Sequence, residues 1–211
     1  MIKEAAKYLG AGLHQKRALI EHYNKYCLPQ VNPKRKYCMG LKDNWCAMFT
    51  TVIAHKCGLD ANAFPYEVSC YYQSLIAKDR GQWFTDARDA QPNDLIFYSW
   101  NANGVLNHVG FVESVNGSNI RALEGNIKDT VGYRTIRANS QAIAGFVRTD
   151  YQERFTKANA EYERLRQLAL RTINGEFGNG LKRIRALGHD YVAVQKIVSQ
   201  ILADCPDSPL E

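Results

Sequence analysis

No stretch of this 211-residue sequence approaches the roughly 18 to 20 consecutive apolar residues that a bilayer span needs. The start, MIKEAAKYLGAGLHQKRALIEH, has neither the long apolar core nor the small-residue cleavage site of a secretory leader. The sequence therefore predicts synthesis in a cytoplasm without export by the general secretory route, and no insertion into a membrane. The six cysteines (Cys27, Cys38, Cys46, Cys57, Cys70 and Cys205) form no CxxC pair and show no Cys/His spacing of a zinc site. They are too scattered for a disulfide-stapled miniprotein, so five are expected to be reduced and mostly buried. Proline and glycine stand at ordinary levels, which excludes a low-complexity chain, and there is no internal repeat. No stripe of Lys and Arg interleaved with aromatics marks a nucleic-acid surface, and nucleic acid is not expected as a partner.

What is present is a folded-protein composition, 45% hydrophobic and 11% aromatic, with a formal charge of +6. The length suits one medium domain plus a small second one, or one large domain. The positive charge favours an anionic partner by long-range attraction without choosing which. Apolar residues at helical intervals (Ile2, Ala5, Ala6, Leu9, then Leu19, Ile20, Tyr23, Tyr26) predict two short helices interrupted near Gly10 and Gly12. A basic loop, Pro29 to Lys42, leads into a third helix that begins near Cys46, carries Phe49, Val52, Ile53 and Cys57 on one face, and stops at Gly58. From Asp94 the period changes to two, and DLIFYSW, HVGFVESV, NIRALEGN, VGYRTIR and AIAGFVR read as strands of an antiparallel meander. After Tyr151 the chain turns helical again. A charged stretch, with Tyr162, Leu165, Leu168 and Ala169 on its buried side, precedes a small three-helix bundle whose last helix has Asp190 as candidate N-cap. The fold class is α+β followed by that bundle.

A cysteine at a helix N-terminus has its thiolate favoured by the helix dipole and by the unpaired N–H groups of the first turn, which can also hold an oxyanion. Cys46 is the cysteine that meets this description; Cys27, Cys38, Cys70 and Cys205 read as loop or terminal residues, and Cys57 ends the Cys46 helix. His108 opens the strand HVGFVESV, where a neighbouring helix can present a thiol to it. On the next strand Glu124 and Asn126 are expected on one face with Ala122, so that either can orient the imidazole. The other histidines fit this role less well: His14 and His22 lie among solvated helix residues, His55 two turns into the Cys46 helix, and His189 in the C-terminal bundle. Trp45 and Trp100, with Tyr71 and Tyr72, are candidates for lining an open groove. Glu67 and Ser69 are lesser candidates for peptide recognition.

The ordered motifs DNWCAMF, PNDLIFYSW, NHVGFVESV and LEGN resemble the CHAP family, papain-like amidohydrolases and peptidases common in phage endolysins, over roughly residues 1 to 150. The resemblance implies Cys46 as nucleophile, His108 as general base, Glu124 as orienting acid and Asn126 as an auxiliary polar group, with no cofactor. Some members bind calcium through aspartates before the cysteine; with Asp43 alone there, amid Lys34, Arg35, Lys36 and Lys42, no metal is expected. The segment ALRTINGEFGNGLKRIRALGHDYVAVQKIVSQIL is similar to a short three-helix cell-wall-binding repeat of phage lysozymes and endolysins, with Phe177 where Trp is usual and His189 where Tyr is usual. That likeness implies that Gly178, Asn179, Gly180 and Arg183 shape or contact a muropeptide. The organisation it implies is a catalytic domain at 1–150, a helical linker at 151–162, the repeat at 163–205 and a tail at 206–211. The implied partner of this monomer is bacterial peptidoglycan, the bond cut being that of an N-acetylmuramoyl-L-alanine amidase or of an endopeptidase. The implied location is a host cytoplasm until release through a holin pore, then the cell wall. A virion-associated hydrolase and a non-catalytic wall-binding module are the alternatives.

Overall fold

The computed structural model describes residues 1–101, 103–149 and 151–203, with the side chains of 152–159 left out. The two N-terminal helices expected from the sequence are α1 (Ile2–Ala6) and α2 (Leu13–His22). The chain then tightens into a π-helical turn at Tyr23–Cys27 and short 3-10 turns through the basic loop. Next comes α3 (Cys46–Lys56), in which every residue from Cys46 to Ala54 is buried. A helix apolar all round belongs inside a core, and α3 is the element around which the first unit is built. Phe49 is fully buried at its middle, meeting Tyr8, Trp45 and Phe111 edge-on.

A fourth helix, α4 (Cys70–Asp79), follows where the sequence predicts loop. Its buried residues, Cys70, Gln73, Ser74 and Ala77, fall at i, i+3, i+4 and i+7, yet two of them are polar. Hydrophobic periodicity cannot reveal such a face. Gln73 is tolerated there because its amide donates to Thr50 Oγ1 and to the Pro65 carbonyl, both at 3.1 Å.

The sheet has six antiparallel strands, β1 (Trp83–Phe84), β2 (Leu95–Tyr98), β3 (His108–Asn116), β4 (Asn119–Ile127), β5 (Thr130–Arg137) and β6 (Ile143–Val147), in the order β1-β6-β2-β3-β4-β5. Strands β2 to β5 do meander. Strand β6 departs from the expected pattern by crossing back to lie between β1 and β2. All four residues of β2 are buried, so it needs partners on both edges, and β6 brings it Phe146 and Val147. Strand β5 has Val131 as its one buried residue and suits the sheet's edge. The larger core joins Leu95, Phe97, Val109, Phe111 and Leu123 to α3, and a smaller one gathers Ile96, Tyr98, Val112, Ile120 and Phe146.

The second compact unit begins at Gln152. Its helices are α5 (Tyr151–Ile173, which starts at the last residue of the first unit), α6 (Leu181–Leu187) and α7 (Tyr191–Ala203). Ala169, Leu187, Val194 and Ile197 are its buried centre, with Leu165, Leu168, Val198 and Ile201 packed on them. The helical segment expected at 151–162 forms the first part of α5. Two expectations change here. Tyr162 is half-exposed rather than core. Asp190 ends a 3-10 turn, and its carboxylate takes both terminal nitrogens of Arg164 at 2.7 Å instead of capping α7. Cys205 and the tail at 206–211 lie outside the described residues. No helix among the described residues is long and apolar enough to cross a membrane.

Candidate active site

Cys46 is the first residue of α3, following Trp45 as N-cap, and its side chain is almost wholly buried. The thiol of Cys70, itself the first residue of α4, lies 3.6 Å from it. Two helix N-termini thus converge on one pair of sulfurs. The hydrogen bond from Cys70 pulls the Cys46 thiol well below the ordinary cysteine range; burial opposes the shift, while His108 and the Ala47 N–H reinforce it. The same contact, with burial, pushes Cys70 well up. The pair is thus biased one way, Cys46 toward the thiolate and Cys70 toward the neutral thiol, across a contact in which either sulfur can donate. Cys70 is not evident from the sequence, because the helix it opens has polar residues on its buried face.

His108 stands at the first position of β3, opposite Tyr98 of β2. Its Nε2 donates to Glu124 Oε2 at 2.8 Å, which leaves Nδ1 for the Cys46 sulfur. Burial works against a charged ring here, but hydrogen bonds to Cys46 and Glu124 outweigh it and raise His108 to about 9. Glu124 is fully buried, and Arg134 Nε holds both of its oxygens, at 3.1 and 2.9 Å. A buried carboxylate survives only when paired, and it has two partners. Glu124 stands opposite Gly132 on β5, so Arg134, two residues along, is its diagonal neighbour on the same face. The Arg134 guanidinium also lies 4.6 Å from the Trp100 ring, which stacks on Tyr98 at 4.5 Å; both rings flank His108. Trp100 remains 40% exposed, open to a ligand at the rim.

Two glycines in these motifs make room for the site. A Cβ on Gly110 would stand 2.4 Å from Glu124 Cγ, and one on Gly125 would stand 2.6 Å from Phe49 Cβ. The first clears the path from Glu124 to His108. The second lets β4 approach α3.

Two expected site residues lie elsewhere. Asn126 does not share a face with Glu124, because the ladder shifts register after Glu124 and Asn126 adopts a left-handed backbone at φ 65°. Its side-chain amide donates to Asn44 Oδ1 at 3.2 Å instead of reaching His108. Trp45 lines no groove: it is fully buried, its Nε1 donating to Asp129 Oδ1 at 3.0 Å. Asp129 and Lys128, both at positive φ, form the β4–β5 turn, so this bond ties that hairpin to the start of α3. Glu67 is buried and paired with Arg35, whose guanidinium stacks 3.4 Å from the Tyr72 ring. Ser69 is the N-cap of α4, with no side-chain cap bond. Tyr71, beside Cys70, and Leu106, just before His108, line a cavity of about 380 Å³ together with Ser74, Lys78 and Ser99.

In the second unit, Arg183 donates to the Gly178 carbonyl at 2.9 Å and to Asn179 Oδ1 at 2.8 Å. The guanidinium thus braces the turn, leaving the exposed Asn179 and Gly180 at its tip.

Residues 36–126 match the CHAP domain, a span that holds Cys46, Cys70, His108 and Glu124, and residues 166–202 match the CW_7 repeat. No curated protein matches the chain significantly. The chain thus carries a CHAP domain, the mark of cysteine- and histidine-dependent amide hydrolysis in peptidoglycan, and a cell-wall-binding CW_7 repeat.

Proposed function

We propose that this chain is a phage endolysin whose Cys46 thiolate cleaves an amide of the wall peptide, held in a host cytoplasm until a holin pore admits it to the wall. The observation that carries the reading is the run of contacts from the Cys46 sulfur to His108, Glu124 and Arg134. The thiolate attacks the amide carbonyl, and the backbone N–H groups that open α3 receive the developing oxyanion. The His108 imidazolium gives its proton to the leaving amine. A water, losing its proton to the now neutral ring, then hydrolyses the thioester and regenerates the thiolate. Glu124 keeps the ring oriented and its charge balanced throughout, and Arg134 holds Glu124 in place.

The bond proposed is that between N-acetylmuramic acid and L-alanine, with an endopeptidic cut the alternative. The exposed Trp100 ring, close to His108, and the mixed polar and apolar cavity lined by Tyr71, Ser74, Lys78 and Ser99 are surfaces on which a sugar or peptide can rest. Purified Gram-positive peptidoglycan digested by the wild type and by Cys46→Ala, with mass spectrometry of the products, tests the reading. Fragments from the wild type alone support it, and their new termini tell amidase from endopeptidase. A wall that both proteins bind and neither cuts makes the chain a binding module for that wall.

A further inference from the structure

Outside the active site, His22, Cys27 and His55 bring three potential metal ligands together in the first unit. His22 Nε2 and His55 Nδ1 are 3.0 Å apart, and one ring nitrogen of each histidine and Cys27 Sγ all lie within 4.8 Å of one another. Their positions in sequence hide this. In an α-helix, residues five apart point about 140° away from each other. Between His22 and Cys27 the chain instead makes the π-helical turn Tyr23–Cys27, closed by the Leu28 N–H on the Tyr23 carbonyl, and the i→i+5 winding returns both residues to one side. His55, in the last turn of α3, completes the group. Tyr26 covers the two imidazoles, with ring centroids 5.0 Å from His22 and 6.0 Å from His55.

We infer that His22, Cys27 and His55 form a binding site for a zinc-class divalent cation, tying the end of α2 to the far end of the nucleophile's helix. Two imidazoles and a thiolate are ligands that Zn²⁺ prefers, and three protein ligands leave a fourth position for water on the side where the rings are half-exposed. Zinc bonds of roughly 2.0 to 2.3 Å set ligand atoms roughly 3.3 to 3.7 Å apart, so the histidine pair needs almost no movement and Cys27 only a small one. In the metal-free chain both rings are neutral, held down by burial and by the nearby Lys56, His22 to about 4. Burial keeps the Cys27 thiol protonated, Lys56 opposing this weakly. Metal entry therefore forms two Zn–N bonds and one Zn–S bond and releases the thiol proton to solvent. The proton shared by the facing ring nitrogens is no longer held between them, and its ring passes to the other neutral tautomer. The charge of Lys56 near the cluster, and of Lys25 over the Tyr26 ring, keeps the affinity below that of a four-ligand structural site.

The full chain with Cys46→Ala is the reference protein, because it removes the catalytic sulfur as a competing ligand. It is dialysed against Zn²⁺, and in parallel against Co²⁺ to read thiolate-to-cobalt absorption in the near ultraviolet. One metal per chain is expected, with the ring resonances of two histidines shifting on Zn²⁺ addition. Adding His55→Gln or Cys27→Ser weakens binding by about 100-fold, and Cys27→Ser removes the absorption band. Binding left unchanged by both substitutions, or no metal bound by the reference protein, overturns the inference. The histidine resonances decide the matter without a second substitution if either variant fails to fold. Wall digestion by His55→Gln in the wild-type chain is a separate readout, so the two readings fail independently.

Discussion

At neutral pH a free cysteine is mostly protonated and a free histidine mostly neutral. At this site the Cys46 thiol is shifted down and the His108 ring up, which favours an ion pair between them and is expected to set the pH range of activity. Proton donation to the leaving amine requires His108 charged, so turnover is expected to fall as pH rises through about 9. Glu124→Gln removes a partner of the charged ring, shifts that alkaline limb to lower pH and costs about two orders of magnitude in kcat. A pH–rate series on the wild type and the variant reads both effects. Cys70 is the more unusual participant. A thiol donor to a thiolate lowers the thiolate's pKa, so Cys70→Ala moves the acid limb of Cys46 alkylation by iodoacetamide to higher pH. At pH 6 it slows alkylation about tenfold, near the lower end for a hydrogen bond to a charged group. Cys70→Ser, which keeps a donor, restores part of the rate. An acid limb unmoved in Cys70→Ala would remove Cys70 from the mechanism.

Among elements, α3 and β4 matter most, because the site depends on how closely they approach. Gly110→Ala places a methyl group against Glu124 Cγ; the carboxylate must leave His108 or β3 must bend. The expected result is loss of most activity with about 1 to 3 kcal/mol of destabilisation, measured by urea unfolding beside the wall assay. Phe49→Ala opens a cavity where Gly125 of β4 meets α3 and costs about 3 to 5 kcal/mol. Element-scale features were unevenly legible in the sequence. Helix α3 and the strands from Leu95 to Val147 stood out because their apolar periods are strong. Helix α4 did not, because Gln73 and Ser74 occupy its buried face, and with it Cys70 passed for a loop residue.

At the scale of the whole chain, two units with separate cores carry the CHAP match and the CW_7 match, and on the proposed function one cuts the wall and the other holds it. A single CW_7 repeat lacks the gain in avidity that linked copies give. Deleting residues 152–211 is expected to lower sedimentation with intact walls while leaving cleavage of soluble muropeptides within about threefold, since no part of the catalytic group lies beyond Arg134. Loss of soluble-substrate cleavage as well would mean that the second unit supports the fold of the first.

What the sequence determined by itself was local: a cysteine opening a strongly apolar helix, a histidine opening a strand, a glutamate on the strand beside it, and a helical bundle at the end. Each follows from residue spacing, because helix and strand periods fix which side chains share a face. The tertiary structure decided the contacts between elements. It set Cys70 against Cys46, carried Arg134 to Glu124 across the β4–β5 ladder, turned Asn126 away through a shift of register, buried Trp45, and gathered His22, Cys27 and His55 through a π turn. Those outcomes rest on register, helix pitch and packing between segments far apart in the chain, which no local periodicity encodes.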